Sequence, residues 1–464
     1  MIHYASLKSL EGPLLVIDKT DSISYLELVK IQTADGKVLD GQVIALEKDV
    51  AVVQLFQSSA GASLKGSVAT FTGQTKKIAL SPSILGRIFN GLGKPLDGKL
   101  ELEGNRYDIN LPLPLQNKDI YGAAMNPFRR SEPSNFIQTG ISSIDLTNTV
   151  VKGQKIPIFS GSGMPDLELL TQIASQAATL DGKPFAVVVA TMGISQDQYR
   201  YLVDSLEKSG ALSHTVIFAN LANDPVVERI LTPRLALTTS EYLAYELNYS
   251  VLTLMFDLTN YANALREISA AKKEIPGRAG YPSYLYTDLA TLLERAGTVE
   301  DIQGDITQIP ILTMPSDDIT HPVPDLTGYI TEGQITLDRN LLQKGIFPPI
   351  NILKSLSRLK DKGQGEGKTR EDHSAVSDQI FASLAEANRQ EELALILGAD
   401  SLSETGQKYL EFKKLYEDKF LNQGKENRSI EQTLNIAWEI LSVLPRQELK
   451  KIKDKLHEKY HPKD

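Results

Sequence analysis

The sequence predicts a multidomain chain: a small N-terminal β-barrel, a central α/β domain on a parallel sheet, and a C-terminal helical domain. Three patterns predict it. The first 70 or so residues hold short Val-, Ile- and Leu-rich runs and no helix-period pattern of useful length. From about residue 156, apolar runs alternate with helical patterns around a glycine-rich turn. From Glu371 onward the periodicity is helical. A chain of 464 residues accommodates about three domains, and the expected division is 1–72, 73–351 and 352–464.

In the first domain, residues 26–31, 38–46 and 50–56 read as strands, and Asp35-Gly36 supplies a hairpin turn between the first two. Gly61, Gly66 and Gly73 punctuate the stretch beyond the third strand, so a closed barrel is the economical expectation. An oligonucleotide-binding barrel is the alternative, but no stripe of aromatic and basic residues is present to stack and neutralise bases. A turn-rich connection runs through residues 86–98, then Pro112 and Pro114, and the polar Asn126-Pro127-Phe128-Arg129-Arg130.

The centre is organised by Ile158-Phe159-Ser160-Gly161-Ser162-Gly163-Met164-Pro165-Asp166-Leu167-Glu168. Strand, glycine turn and helix form the context of a phosphate-binding loop. The chemistry is missing. Met164 stands where the lysine belongs, Pro165 where the magnesium-binding hydroxyl belongs, and Ile158 at the first glycine position. Asp166 and Glu168 put carboxylates at the helix N-terminus, where a phosphate would otherwise sit. No nucleotide is expected to bind in cis at Ser160, Gly161, Ser162, Gly163, Met164 and Pro165.

Beyond the loop, residues 185–190, 215–219 and 251–256 read as buried strands, with helical patterns at 198–208 and 240–248. Asp257 closes the third strand. An acid there is the usual magnesium-side partner of a phosphate loop, but without the lysine and hydroxyl it reads better as the cap of the next helix.

Composition narrows the function. The net charge of −9 argues against a general nucleic-acid or anionic-membrane binder. The absence of cysteine excludes disulfides and thiolate metal sites; no metal site is expected. No apolar run approaches bilayer length, so a soluble protein, or one held at a membrane through partners, is expected.

Gly363-Gln364-Gly365-Glu366-Gly367-Lys368-Thr369 imitates a phosphate loop, but Lys362 occupies the position five before Gly367 and no strand precedes it. It reads as a flexible polar connector. Thereafter Ile380, Leu384, Leu393, Leu395, Leu397 and Leu410 fall in amphipathic runs broken at Gly398 and Gly406, and Leu449, Ile452 and Leu456 share a face of a last helix. The lysines among them (450, 451, 453 and 455) read as a solvated face.

Several long segments carry a resemblance: residues 86–98, 139–145, 220–225, Pro276-Gly277-Arg278-Ala279-Gly280-Tyr281-Pro282, 307–315, 325–334 and 348–359. Together they resemble the B subunit of A/V-type rotary ATPases over nearly the whole chain. The resemblance implies a β-barrel, a RecA-like domain and a helical domain, in a ring of three copies alternating with three catalytic A subunits. Central rotor-shaft and peripheral stalk subunits are the further partners it implies. It also implies a place on the cytoplasmic side of a membrane, reached only through the complex. In catalytic relatives a Gly-Glu-Arg follows the 185–190 strand; here the segment is Gly193-Ile194-Ser195, and isoleucine cannot orient a water.

The same resemblance marks Ser355-Leu356-Ser357-Arg358 as the segment that presents an arginine to a neighbour's Mg-ATP or Mg-ADP. Ser355, Leu356, Ser357, Ile330 and Thr331 are the expected interface residues. On sequence alone, an arginine near Pro348 and Pro349 is more often a surface ion-pair partner, and the resemblance reverses that reading. Three classes are weighed: a non-catalytic ring subunit, an ATPase acting alone, and a ring-shaped nucleic-acid motor. Met164, Pro165 and Ile194 oppose the second, and the degenerate loop and acidic balance oppose the third.

Overall fold

The computed structural model describes residues 2–4, 7–18, 23–57, 66–98, 116–123 and 126–462. Gly61, Pro112 and Pro114 lie outside them. The N-terminal domain is a seven-stranded antiparallel sheet in the order Ile2–Tyr4, Val68–Phe71, Leu28–Gln32, Val38–Leu46, Val50–Leu55, Leu14–Asp18, Leu7–Glu11. Alternation sends Val29, Ile31, Val43, Val53, Leu15 and Ile17 into one core. The expected hairpin forms at Asp35-Gly36, where Gly36 adopts φ 85° and Thr33 N–H donates to the Lys37 carbonyl.

The central sheet runs Leu356–Ser357, Gly333–Thr336, Ile158–Gly161, Asp305–Met314, Ser250–Phe256, Phe185–Ile194, Thr215–Leu221, Ile88–Asn90. Every pairing along it is parallel except the first, in which Leu356–Ser357 lies antiparallel to Gly333–Thr336. Both faces are covered, as a parallel sheet requires. Val187, Val189, Leu252 and Leu254 face the helices Asp166–Gln176 and Gln196–Ser209. Ala186, Val188, Ala190 and Met255 face Val226–Glu241, Leu258–Ala271 and Leu285–Leu293. The Thr139-to-Asp145 segment is held by one buried carboxylate: Asp145 accepts from the Thr139 amide and hydroxyl and from the Gly140 amide.

The C-terminal helices share the first of these cores. Leu384, Ala387, Phe412, Leu434 and Trp438 pack in one cluster with Ile158, Ile335, Ile350 and Ile352.

Four sequence expectations need correction. The helix expected at 240–248 begins much earlier, as Val226–Glu241, and ends in a π-helical turn over Tyr242–Glu246. Pro233 lies inside it and hides its extent; buried Leu231, Leu235 and Leu237 outweigh the hydrogen bond that proline cannot make. Gly406 is no break: it lies in the first turn of Glu404–Leu415, and its amide donates to the capping Ser403 hydroxyl. The last helix is only Asp454–Tyr460, with Leu449 and Ile452 buried in the turns before it. Finally, the connector at residues 363–369 is anchored. Gln364 is buried and donates to Leu146 O and Thr149 Oγ1, while Thr369 Oγ1 accepts from the Gly365 amide.

Candidate functional site

The degenerate loop closes on itself. The Ile158–Gly161 strand ends at Gly161, Gly163 turns at φ 77°, and the helix begins at Asp166 after the non-helical Pro165. Met164, where a phosphate lysine would reach outward, is buried in the core. A side chain of the same chain lies across the loop. Arg339 donates to the Ser162 carbonyl at 2.9 Å and to both carboxylate oxygens of Asp317 at 2.9 Å. A Cβ added at Gly161 would collide with the Asp317 carboxylate, so an acid occupies the approach to the loop backbone. Ser316 and Asp317 both sit at φ 56°, where non-glycine residues are uncommon.

Beneath the loop lie two more acids. Asp166 is pushed up to about 6, first by burial and also by the charge of Asp257. Asp257 is raised by burial as well; its Oδ1 accepts from the amides of Thr259 at 2.7 Å and Thr313 at 3.1 Å. It therefore caps the Leu258–Ala271 helix, as expected. Ile194 is buried in the core, and Ser195 caps the next helix with Gln198. At the loop surface stand the exposed Asp317 carboxylate and its partner Arg339, above the buried Asp166 and Asp257. The lysine and the magnesium-binding hydroxyl of a phosphate loop are absent from positions 164 and 165.

Arg358 stands elsewhere and is differently disposed. The Leu356–Ser357 strand alternates sides: Ser355 and Ser357 turn inward, and Lys354, Leu356 and Arg358 turn outward. Ser355 Oγ donates to Asn351 O at 2.7 Å and accepts from the Thr336 amide; Ser357 Oγ lies 3.1 Å from Gln154 Nε2. The Arg358 amide donates to Glu332 O at 2.9 Å, and among the described residues its guanidinium reaches only the Thr331 carbonyl, at 3.4 Å. That length makes a weak bond at best. Among the described residues no acid pairs with Arg358, the alternative open from sequence. Strand registers place Arg358 level with residue 332 and Gly161 level with residue 338, six residues or roughly 20 Å apart. The exposed arginine therefore does not serve its own loop.

Of the expected interface residues, Ile330, Thr331 and Ser357 are buried within the chain, and the Thr331 hydroxyl donates to Thr327 O at 2.9 Å. The exposed apolar residues of this region are Leu356 and Tyr329. No sequence signal marks Asp317 or Arg339, since neither belongs to a phosphate-loop pattern.

A barrel-like β-domain, a parallel α/β domain with a phosphate-loop turn, and a helical domain packed on it define a RecA-like, three-domain subunit. Residues 9–73 match the ATP synthase alpha/beta family β-barrel domain, 140–357 its nucleotide-binding domain, and 362–461 the C-terminal domain of V and A type ATP synthase. The chain is 40% identical to the solved ATP synthase subunit NeqB from Nanoarcheaum equitans, with TM-score 0.73, covering 93% of this chain and 98% of that one. The chain thus belongs to the A/V-type ATP synthase subunits and is part of a multisubunit ATP synthase. Among the described residues no helix is long and apolar enough to cross a membrane.

The buried acid under the loop gives a pH test. The Asp166 carboxyl is raised from its ordinary value near 4, so its contribution to stability is fully present below about pH 4 and lost as pH rises through about 6. Asp166→Asn keeps the acceptor for the Leu167 amide without the charge. The variant is expected to gain on the order of 2 kcal/mol relative to wild type between pH 4 and pH 7. Thermal melts of both proteins across that range check it; parallel pH profiles would refute it.

Proposed function

We propose that this chain is the non-catalytic, regulatory and structural subunit of the alternating ring, without ATPase activity on its own. It carries no nucleotide in cis and supplies Arg358 to Mg-ATP or Mg-ADP held by an adjacent catalytic subunit. One observation carries the proposal: an exposed arginine with no acid partner among the described residues, in a chain whose own loop is closed by Asp317 and Arg339. A guanidinium is always protonated and forks onto two phosphate oxygens, so it can neutralise charge as the terminal phosphate leaves. The acids at the loop are what a nucleotide-free neighbour can tolerate.

The domains implied are 1–72, 73–351 and 352–464, with rotor-shaft and peripheral stalk subunits as further partners. Nucleic acid is no partner, and the membrane, on its cytoplasmic side, is reached only through the complex.

The test has two arms. Alone, the chain is expected to show no saturable Mg-ADP binding in calorimetry and to run as monomer or weak oligomer, because ring closure needs the unlike partner. Mixed with a catalytic A subunit, it is expected to appear as a three-plus-three hexamer in native mass spectrometry. Micromolar one-to-one Mg-ATP binding by the isolated chain would sink the proposal, and a stable homohexamer would favour the nucleic-acid motor.

A further inference from the structure

We infer that Glu332, tied to Lys155, Glu294 and Arg130 in a half-buried charge chain around the buried Lys155, is the positioning residue of Arg358. The inference rests on the proposed trans role of that arginine. Lys155 is 5% exposed, so its ammonium needs partners inside the protein. It has two: Glu332 Oε1 at 2.9 Å and Glu294 Oε1 at 3.1 Å. Glu294 in turn holds Arg130, whose Nη2 lies 3.0 Å from Glu294 Oε2 and also donates to the Glu294 carbonyl.

Glu332 is the point where this charge chain meets the arginine. Its Oε2 accepts from the Lys155 amide at 2.7 Å, its own amide donates to Lys155 O at 3.0 Å, and its carbonyl accepts from the Arg358 amide at 2.9 Å. Lys155 leads into the strand that ends at the degenerate loop, and Glu332 leads into Gly333–Thr336. The main chain under Arg358 is therefore fixed in three directions at one residue. A catalytic group displaced by about 1 Å forfeits on the order of a hundredfold in rate, and such fixing prevents that displacement. The guanidinium itself, with one long bond to Thr331 among the described residues, is not held by its own contacts.

The experiment is a double-mutant cycle in rings reconstituted with a wild-type catalytic partner. Glu332→Ala is expected to lower kcat for ATP about tenfold or more, with KM changed by less than about twofold. Glu332→Gln should recover most of that loss, because its amide oxygen still accepts from the Lys155 amide. In an Arg358→Ala background the same Glu332→Ala change should cost less than about twofold further, since coupled residues are not additive. Equal cost in both backgrounds would overturn the positioning role. If Glu332→Ala does not assemble, Glu294→Gln replaces it at the more exposed end, with a loss of roughly threefold or more, again present only with Arg358. Arg358→Ala turning over at the wild-type rate would instead overturn the trans role, so the two failures are distinguishable.

Discussion

Arg358→Ala in the reconstituted ring is expected to lower ATP hydrolysis by roughly 10³–10⁵, the value of a cation supplied in trans to a transferring phosphoryl group. Assembly should be near normal, because the side chain is exposed and, among the described residues, its guanidinium makes only the long bond to Thr331 O. Arg358→Lys should rescue little, since an ammonium cannot reproduce the planar two-pronged contact. Mg-ADP affinity of the ring should fall far less than turnover, because the loss concerns the transition state more than the ground state. Steady-state hydrolysis and Mg-ADP titration on the same preparations check both. Hydrolysis within about twofold of wild type would leave Arg358 a surface arginine.

Gly333→Ala is expected to slow the ring at least a hundredfold without replacing the arginine. Gly333 sits at φ 139° and pairs with Ser357, so close that an added Cβ would collide with the Leu356 carbonyl oxygen. The obstacle is backbone and cannot rotate away. Relief requires Leu356–Ser357 to leave the sheet edge, which carries Arg358 with it and breaks its amide bond to Glu332. The local cost is of order 2–4 kcal/mol, from the lost pairing and the strained dihedral. Hydrolysis should drop at least a hundredfold while the hexamer persists. Native mass spectrometry beside turnover measures this, and a fully active Gly333→Ala ring would show that the edge strand does not set the position of Arg358.

The residues that make the architecture legible are those whose pattern follows one physical period. Phe185–Ile194 and Ser250–Phe256 announce themselves as apolar runs because both faces of a parallel sheet are buried. Met164 and Pro165 are legible for a different reason: a phosphate loop needs particular chemistry at fixed spacing, and its loss is visible by inspection. Pro233 misleads because local propensity speaks against a helix that tertiary burial enforces. Asp317 and Arg339 are invisible in sequence. They come from separate elements, meet only through the fold, and depend on a left-handed backbone that sequence does not encode in any glycine. The Glu332–Lys155 pair is likewise a product of two strands brought side by side.

The cluster joining Ile158, Ile335 and Ile350 to Leu384, Phe412 and Trp438 has a mechanical consequence. Close-packed interiors yield little to compression and pass displacement on. The C-terminal helices are therefore no loose pendant that swings on a linker: a sideways push on their outer ends becomes a shift at the edge of the sheet. That edge is where Gly333–Thr336 and Leu356–Ser357 run. A displacement of those helices is thereby passed to the two strands that set the place of Arg358.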